Sequence, residues 1–117
     1  MLHLSAACRY YLYNGPADMR KGFDSLSGMV TSLMNSNALS GSVFIFFNKK
    51  HTQVKLLLWE GDGFALYHKR LERGTYELPA CNESNLSITI SSEQLQLILQ
   101  GISLKSVRRR KRYQHPA

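Results

Sequence analysis

Trp59-Glu60-Gly61-Asp62-Gly63-Phe64-Ala65-Leu66-Tyr67-His68-Lys69-Arg70-Leu71-Glu72-Arg73-Gly74 holds the chain's one tryptophan, its sharpest turn signal and a dense mix of aromatic and basic side chains. An apolar run, Val54 to Leu58, precedes it; Tyr76 to Leu78, closed by Pro79, follows. Asp62-Gly63 between apolar runs predicts a β-hairpin, because Asp and Gly tolerate the positive φ of tight turns. The hairpin is expected at the centre of the protein. Its first strand, Gln53 to Glu60, puts Val54, Leu56 and Leu58 on one face and Lys55, Leu57 and Trp59 on the other. Both faces are largely apolar, so this strand is expected to be covered on both sides. Phe64 to Leu71 returns antiparallel. That segment is also compatible with a short helix capped by Gly74, since Ala65, Leu66, Lys69, Arg70 and Leu71 are good helix formers. The turn favours a strand.

Upstream, Arg9 to Tyr13 reads as a short aromatic strand ended by Asn14-Gly15-Pro16. Asp18 is placed to N-cap a helix. Met19, Phe23, Leu26, Val30 and Leu33 then recur at spacings that make one apolar stripe, predicting a helix from about Met19 to about Met34. Asp24 suits its positive end. Gly22 and Gly28 each weaken it by about 1 kcal/mol, a cost that close packing on a sheet would justify. Ser42 to Phe47 is a strand, and Asn48 to Thr52 a polar turn.

Downstream, Thr75 to Leu78 predicts a short edge strand and Leu86 to Ile90 a strictly alternating one. Ser91 and Gln94 have capping-box spacing. Leu95, Ile98, Leu99 and Ile102 make the apolar face of a last helix that Gly101 and Ser103 end. The expected fold is α+β: an antiparallel sheet of about five or six strands with one helix packed on it and a second, C-terminal helix.

A chain of 117 residues, 44% apolar, is long enough for one domain with a real core. Cys8 and Cys81 are far apart and imply neither a disulfide framework nor a zinc site. No run reaches membrane-spanning length, and Met1 to Ala7 lacks the features of a signal peptide, so a reducing cytoplasm is the expected location.

The net charge of +7 is uneven. Lys105, Arg108, Arg109, Arg110, Lys111 and Arg112 supply six positive charges, while residues 1–104 are close to neutral. The chain is therefore divided into a domain, 1–104, and a basic tail, 105–117, expected to be disordered. Such a tail attracts polyanions; the plainer alternative is a solvated terminus with no partner.

No catalytic or cofactor fingerprint is present. His3, His51, His68 and His115 lack metal-ligand spacing, and no phosphate-binding loop, dinucleotide motif or nucleophile elbow occurs. Asp18 and Asp24 fall on different helix faces, and Glu60 and Asp62 flank a turn. His68 reads as structural or surface.

Several ordered segments carry a resemblance. Gly15-Pro16-Ala17-Asp18-Met19-Arg20-Lys21-Gly22-Phe23-Asp24 comes first. Leu39-Ser40-Gly41 follows, leading into Val43-Phe44-Ile45-Phe46. Lys55 to Trp59, Asp62-Gly63-Phe64 and, most specifically, Lys69-Arg70-Leu71-Glu72-Arg73-Gly74 complete it. From about Arg9 to about Val107 the chain resembles the small TnpB, or second-open-reading-frame, accessory proteins of insertion sequences of the sixty-six family. His68 and Leu78-Pro79 depart from the family pattern, and the basic end varies between members. The resemblance implies a role in DNA transposition beside a larger DDE-type transposase that carries the catalytic acids.

Two functions are weighed. One is a non-catalytic module that binds DNA, the element's transposase, or both. Arg20 and Lys21 at a helix start oppose the local dipole, which hints at an external anion. Lys69, Arg70 and Arg73 add a second basic group, with Tyr67 and Trp59 near enough for stacking. Arg108, Arg109, Arg110, Lys111 and Arg112 complete the candidate contacts. The other is a metal-dependent nuclease or strand-transfer enzyme using Asp18, Asp24, Glu60 or Asp62, which requires those carboxylates to converge.

Overall fold

The computed structural model describes residues 4–79 and 84–101. One five-stranded sheet organises it: β1 (Tyr10–Pro16), β2 (Val43–Phe47), β3 (Gln53–Trp59), β4 (Phe64–Arg70) and β5 (Ser87–Ile90), in the order β4-β3-β2-β1-β5. Helix α1 (Phe23–Ser32) connects β1 to β2, and α2 (Ser92–Gln100) follows β5. The fold is α+β, and three of the four strand pairs are antiparallel; β1 and β2 run parallel.

β2, Val-Phe-Ile-Phe-Phe, is buried throughout and occupies the middle. Aromatic and β-branched residues suit a strand with no solvent face. Its alternation divides the core into two layers. Val43, Ile45 and Phe47 meet Tyr10, Leu12, Val54, Leu56, Tyr76 and the α2 residues Leu95 and Ile98. Phe44 and Phe46 meet Leu57 and the α1 residues Leu26, Met29 and Val30. The helices therefore cover opposite faces of the sheet.

The β3–β4 hairpin forms as a strand pair from Gln53↔Arg70 to Trp59↔Phe64. It sits at one side of the sheet rather than its centre, with β4 as an edge strand. Its turn is closed by Glu60 N–H donating to the Gly63 carbonyl at 2.9 Å, and Gly61, not Asp62-Gly63, supplies the positive φ of 95°.

β1 does not stop at Asn14. It continues to Pro16 through an irregularity between Leu12 and Pro16, the partners of Ile45 and Phe47. A Cβ at Gly15 would lie 3.2 Å from the Tyr13 ring, so a larger residue there would require that ring to shift by a few tenths of an ångström.

α1 begins four residues later than the stripe predicts. Gly22 is its N-cap, without a side-chain hydrogen bond, so Asp18 caps no helix. Asp18 instead folds a turn: its Oδ1 accepts from Arg20 N–H at 2.9 Å and its carbonyl from Lys21 N–H at 3.1 Å. Phe23, expected in the core, is 46% exposed, and Leu33 lies past the helix end and is exposed. Leu26, Met29, Val30 and Met34 carry the packing. A Cβ at Gly22 or Gly28 would meet nothing within 4 Å, so neither glycine serves close packing. Leu56 is buried as expected, and Leu58 is half-buried against the same core.

Thr75 to Leu78 is not a strand. Tyr76 N–H donates to the His51 carbonyl at 2.7 Å, and Leu71 N–H to that of Thr52 at 2.8 Å. The segment is thus tied to the β2–β3 turn rather than to a sheet edge. Asn48 organises that turn, its Oδ1 accepting from the backbone N–H groups of Thr52 and Gln53.

The capping box of α2 forms as its spacing predicts: Gln94 N–H donates to Ser91 Oγ at 3.0 Å, and Ser91 N–H to Gln94 Oε1 at 2.9 Å. Gly101 ends the helix at a positive φ of 78°. Ser91→Ala should cost about 1 kcal/mol in urea unfolding. An unchanged midpoint would show that α2 is held by packing alone.

Candidate functional site

The candidate basic residues fall into three places. Arg20 and Lys21 lie on the turn before α1. The Arg20 guanidinium is committed to Asp18, with Nη2 at 2.7 Å from Oδ2 and Nε at 3.1 Å from both carboxylate oxygens. Hydrogen bonds from the Arg20 side chain and backbone hold the Asp18 carboxyl at about 2, below its usual 3.8. The pair is exposed to solvent, where such contacts exchange readily. Lys69 and Arg70 are neighbours in sequence but point to opposite faces of β4, because side chains alternate along a strand. Arg73 is exposed in the bend after β4. Arg108, Arg109, Arg110, Lys111 and Arg112 lie outside the described residues.

The aromatics named for stacking are also separated. Trp59 packs edge-on to Phe64 at 5.0 Å. Tyr67 faces the other layer, against the core under α2.

The structure assembles a grouping that sequence reading missed. Lys55 lies directly across from His68, and Gln53 from Arg70, in the β3–β4 register. Two residues apart on each strand, these four share the α1 face of the hairpin. Opposed Cβ atoms in such a pair are about 4.5–5.5 Å apart. Lys55 is 6% exposed, and its Nζ donates to the Lys21 carbonyl at 2.7 Å. His68 Nε2 hydrogen-bonds Gln53 Oε1 at 2.9 Å. Burial, then the charges of Lys55 and Arg70, lower the His68 pKa below its ordinary value. Arg70 reaches Glu72 through one nitrogen at 3.9 Å, at the limit of an ion pair. The signal for this grouping was in the sequence: a lone lysine inside Val54 to Leu58, and a turn whose register sets it opposite His68.

Among the described residues, no three His, Cys, Asp or Glu side chains are placed together to hold a metal ion. Nor, among them, is any helix long and apolar enough to cross a membrane. Cys8 is a free, half-buried thiol, and Cys81 is outside the described residues.

The family model described as IS66 Orf2 like protein matches residues 8–109. The chain belongs to the IS66 Orf2-like family. It is 34% identical over 102 residues to the uncharacterized protein y4hO of Sinorhizobium fredii strain NGR234, covering 87% of each chain. It is 27% identical over 110 residues to the uncharacterized protein y4jC of the same strain, covering 94% of this chain and 92% of the relative. No solved structure matches the chain at a significant level. Membership places the protein among the transposition-associated accessory proteins of insertion sequences. In this IS66 Orf2-like chain, the segment Gly15 to Asp24 forms the end of β1, the Asp18 turn and the start of α1. Lys69 to Gly74 forms the end of β4 and the bend after it.

Proposed function

We propose that this IS66 Orf2-like protein supports transposition without a catalytic site of its own, by binding DNA, the element's DDE transposase, or both. The observation that carries this reading is the family match across residues 8–109. Its charge supports it: a net +7, with six positive side chains between residues 105 and 112, suits a polyanionic partner. The geometry of Asp18 also supports it. Of the carboxylates a metal-dependent nuclease would draw on, Asp18, Asp24, Glu60 or Asp62, Asp18 has both its oxygens engaged by Arg20. Lys21, Lys69, Arg70, Arg73 and the basic residues of the tail are the proposed contacts; Arg20 contributes only if it exchanges Asp18 for another anion. The division into a folded domain, 1–104, and a tail, 105–117, belongs to the same proposal, as does a cytoplasmic site of action.

The test is a pull-down of the full-length protein with the transposase encoded beside it, with and without element-end DNA. Capture of the transposase, of the DNA, or of both together supports the accessory role. Metal-dependent cleavage of element-end DNA by the purified protein would overturn it, as would failure to capture either partner.

A further inference from the structure

We propose that Lys55, His68 and Arg70, on the α1 face of the β3–β4 hairpin, form a phosphate-binding patch that engages the backbone of duplex DNA. This rests on the reading that the protein contacts DNA, and assigns that contact to a place on the folded surface.

Lys55 is the unusual residue. Lys55 stands within a run of Val and Leu, and as a residue it is 6% exposed. Among the described residues, its ammonium donates to one neutral backbone carbonyl, that of Lys21. Among the described residues, the ion pairs are Arg20 with Asp18 and Arg70 with Glu72, and neither includes Lys55. An ammonium that ends on a neutral carbonyl, with no carboxylate beside it among the described residues, is available to an anion arriving from outside.

The surroundings prepare such a site. His68 and Arg70 are exposed on β4, which among the described residues is an edge strand of the sheet. Arg70 offers a guanidinium whose fork matches phosphate oxygens, and among the described residues only Glu72 competes for it, at 3.9 Å. The register sets Lys55 opposite His68, with Arg70 two residues further along the same face of β4. The Lys55–Lys21 hydrogen bond also ties the turn that bears Lys21 to the same corner. Contacts of this kind fix the position of a protein on a duplex without reading its sequence.

His68 gives the patch a signature. The groups facing it are Lys55 and Gln53 from β3 and Arg70 from its own strand. In the free protein burial, and after it the two cations, disfavour the imidazolium. A phosphate seated among them favours it, so binding takes up a proton. Affinity then rises as pH falls through the interval between the free and bound midpoints, the bound one being higher.

The experiment uses the full-length protein, a short DNA duplex and fluorescence anisotropy, with Lys55→Gln, His68→Gln and Arg70→Gln beside the wild type. Arg70 and His68 are exposed, so their variants remain informative if Lys55→Gln fails to fold. Arg70→Gln should lower the slope of log affinity against log salt by about one unit. The wild type should bind more tightly as pH falls from about 7.5 to about 5.5, and His68→Gln should lose most of that gain. The NMR titration midpoint of His68 should rise when duplex is added. If the wild type binds DNA while Arg70→Gln keeps the full slope and the His68 midpoint stays put, the patch is overturned and DNA contact lies elsewhere. If the wild type binds no DNA, both the patch and the DNA reading fall. Loss of transposase capture by Arg70→Gln in that case would assign the same face to an acidic protein surface instead.

Discussion

Truncating Phe46 to alanine is expected to remove about 3–5 kcal/mol of folding stability, the range for a buried aromatic deleted from a core. Phe46 is fully buried in the central strand, with Leu57, Leu26 and Val30 in its layer and the Tyr13 ring 5.9 Å away. It is also the cross-strand partner of Lys55, so the cavity would open beside that residue. Against a total stability of about 5–15 kcal/mol, this loss would bring the protein close to unfolding. The melting midpoint should fall by roughly 10–20 °C. Leu39→Ala, at a side chain 54% exposed, should stay within about 0.5 kcal/mol of wild type and serves as the control. A loss at Phe46 below about 1 kcal/mol would contradict the two-layer core.

Deleting residues 105–117 should change DNA affinity more than any single substitution. Six positive charges lie in that segment. If each neutralises one phosphate, they contribute about −5 to the slope of log affinity against log salt, at about −0.9 per phosphate. Between about 50 and 200 mM salt that is a change of roughly 10³ in affinity. The truncated protein should lose most of this dependence and keep its melting temperature, since a polar terminal segment adds little to a core. What remains should be shallow, roughly −2 if Lys55 and Arg70 each retain a phosphate. A truncated protein with the full slope would place all the binding on the folded surface. A full-length protein with no salt-sensitive binding would leave the transposase as the partner.

The elements that sequence reading located well are those whose own residues decide them. β2 is apolar on both faces, the hairpin has a glycine-rich turn between apolar runs, and α2 carries both halves of its capping box. Where the outcome depended on distant partners, local pattern misled. Asp18 has the right chemistry for an N-cap, but Arg20 two residues on offers it a charge-assisted partner, and the helix starts at Phe23 instead. Tyr76 has strand character, yet its backbone is claimed by His51. Direction is not encoded locally either: Tyr10 to Leu12 reads the same whether β2 runs parallel or antiparallel to it. The candidate site shows the same division. Lys69 and Arg70 were legible as basic residues, but strand alternation separates them. The Lys55–His68 pairing required counting outward from the hairpin turn.

The position of β1 bears on how the chain assembles. The run β2-β3-β4 is a meander whose pairings join neighbours in sequence, and such contacts close early at small entropic cost. β1 is different: Tyr10 to Tyr13 must wait for Ile90 to Ser87, contributed by the last strand. During synthesis the first strand therefore emerges long before one of its two partners exists, and its outer edge stays open until β5 is made. Hydrogen exchange pulse-labelled during refolding should protect the amides of β2 and β3 before those of β5. Simultaneous protection would mean that the two ends of the chain join in the rate-limiting step itself.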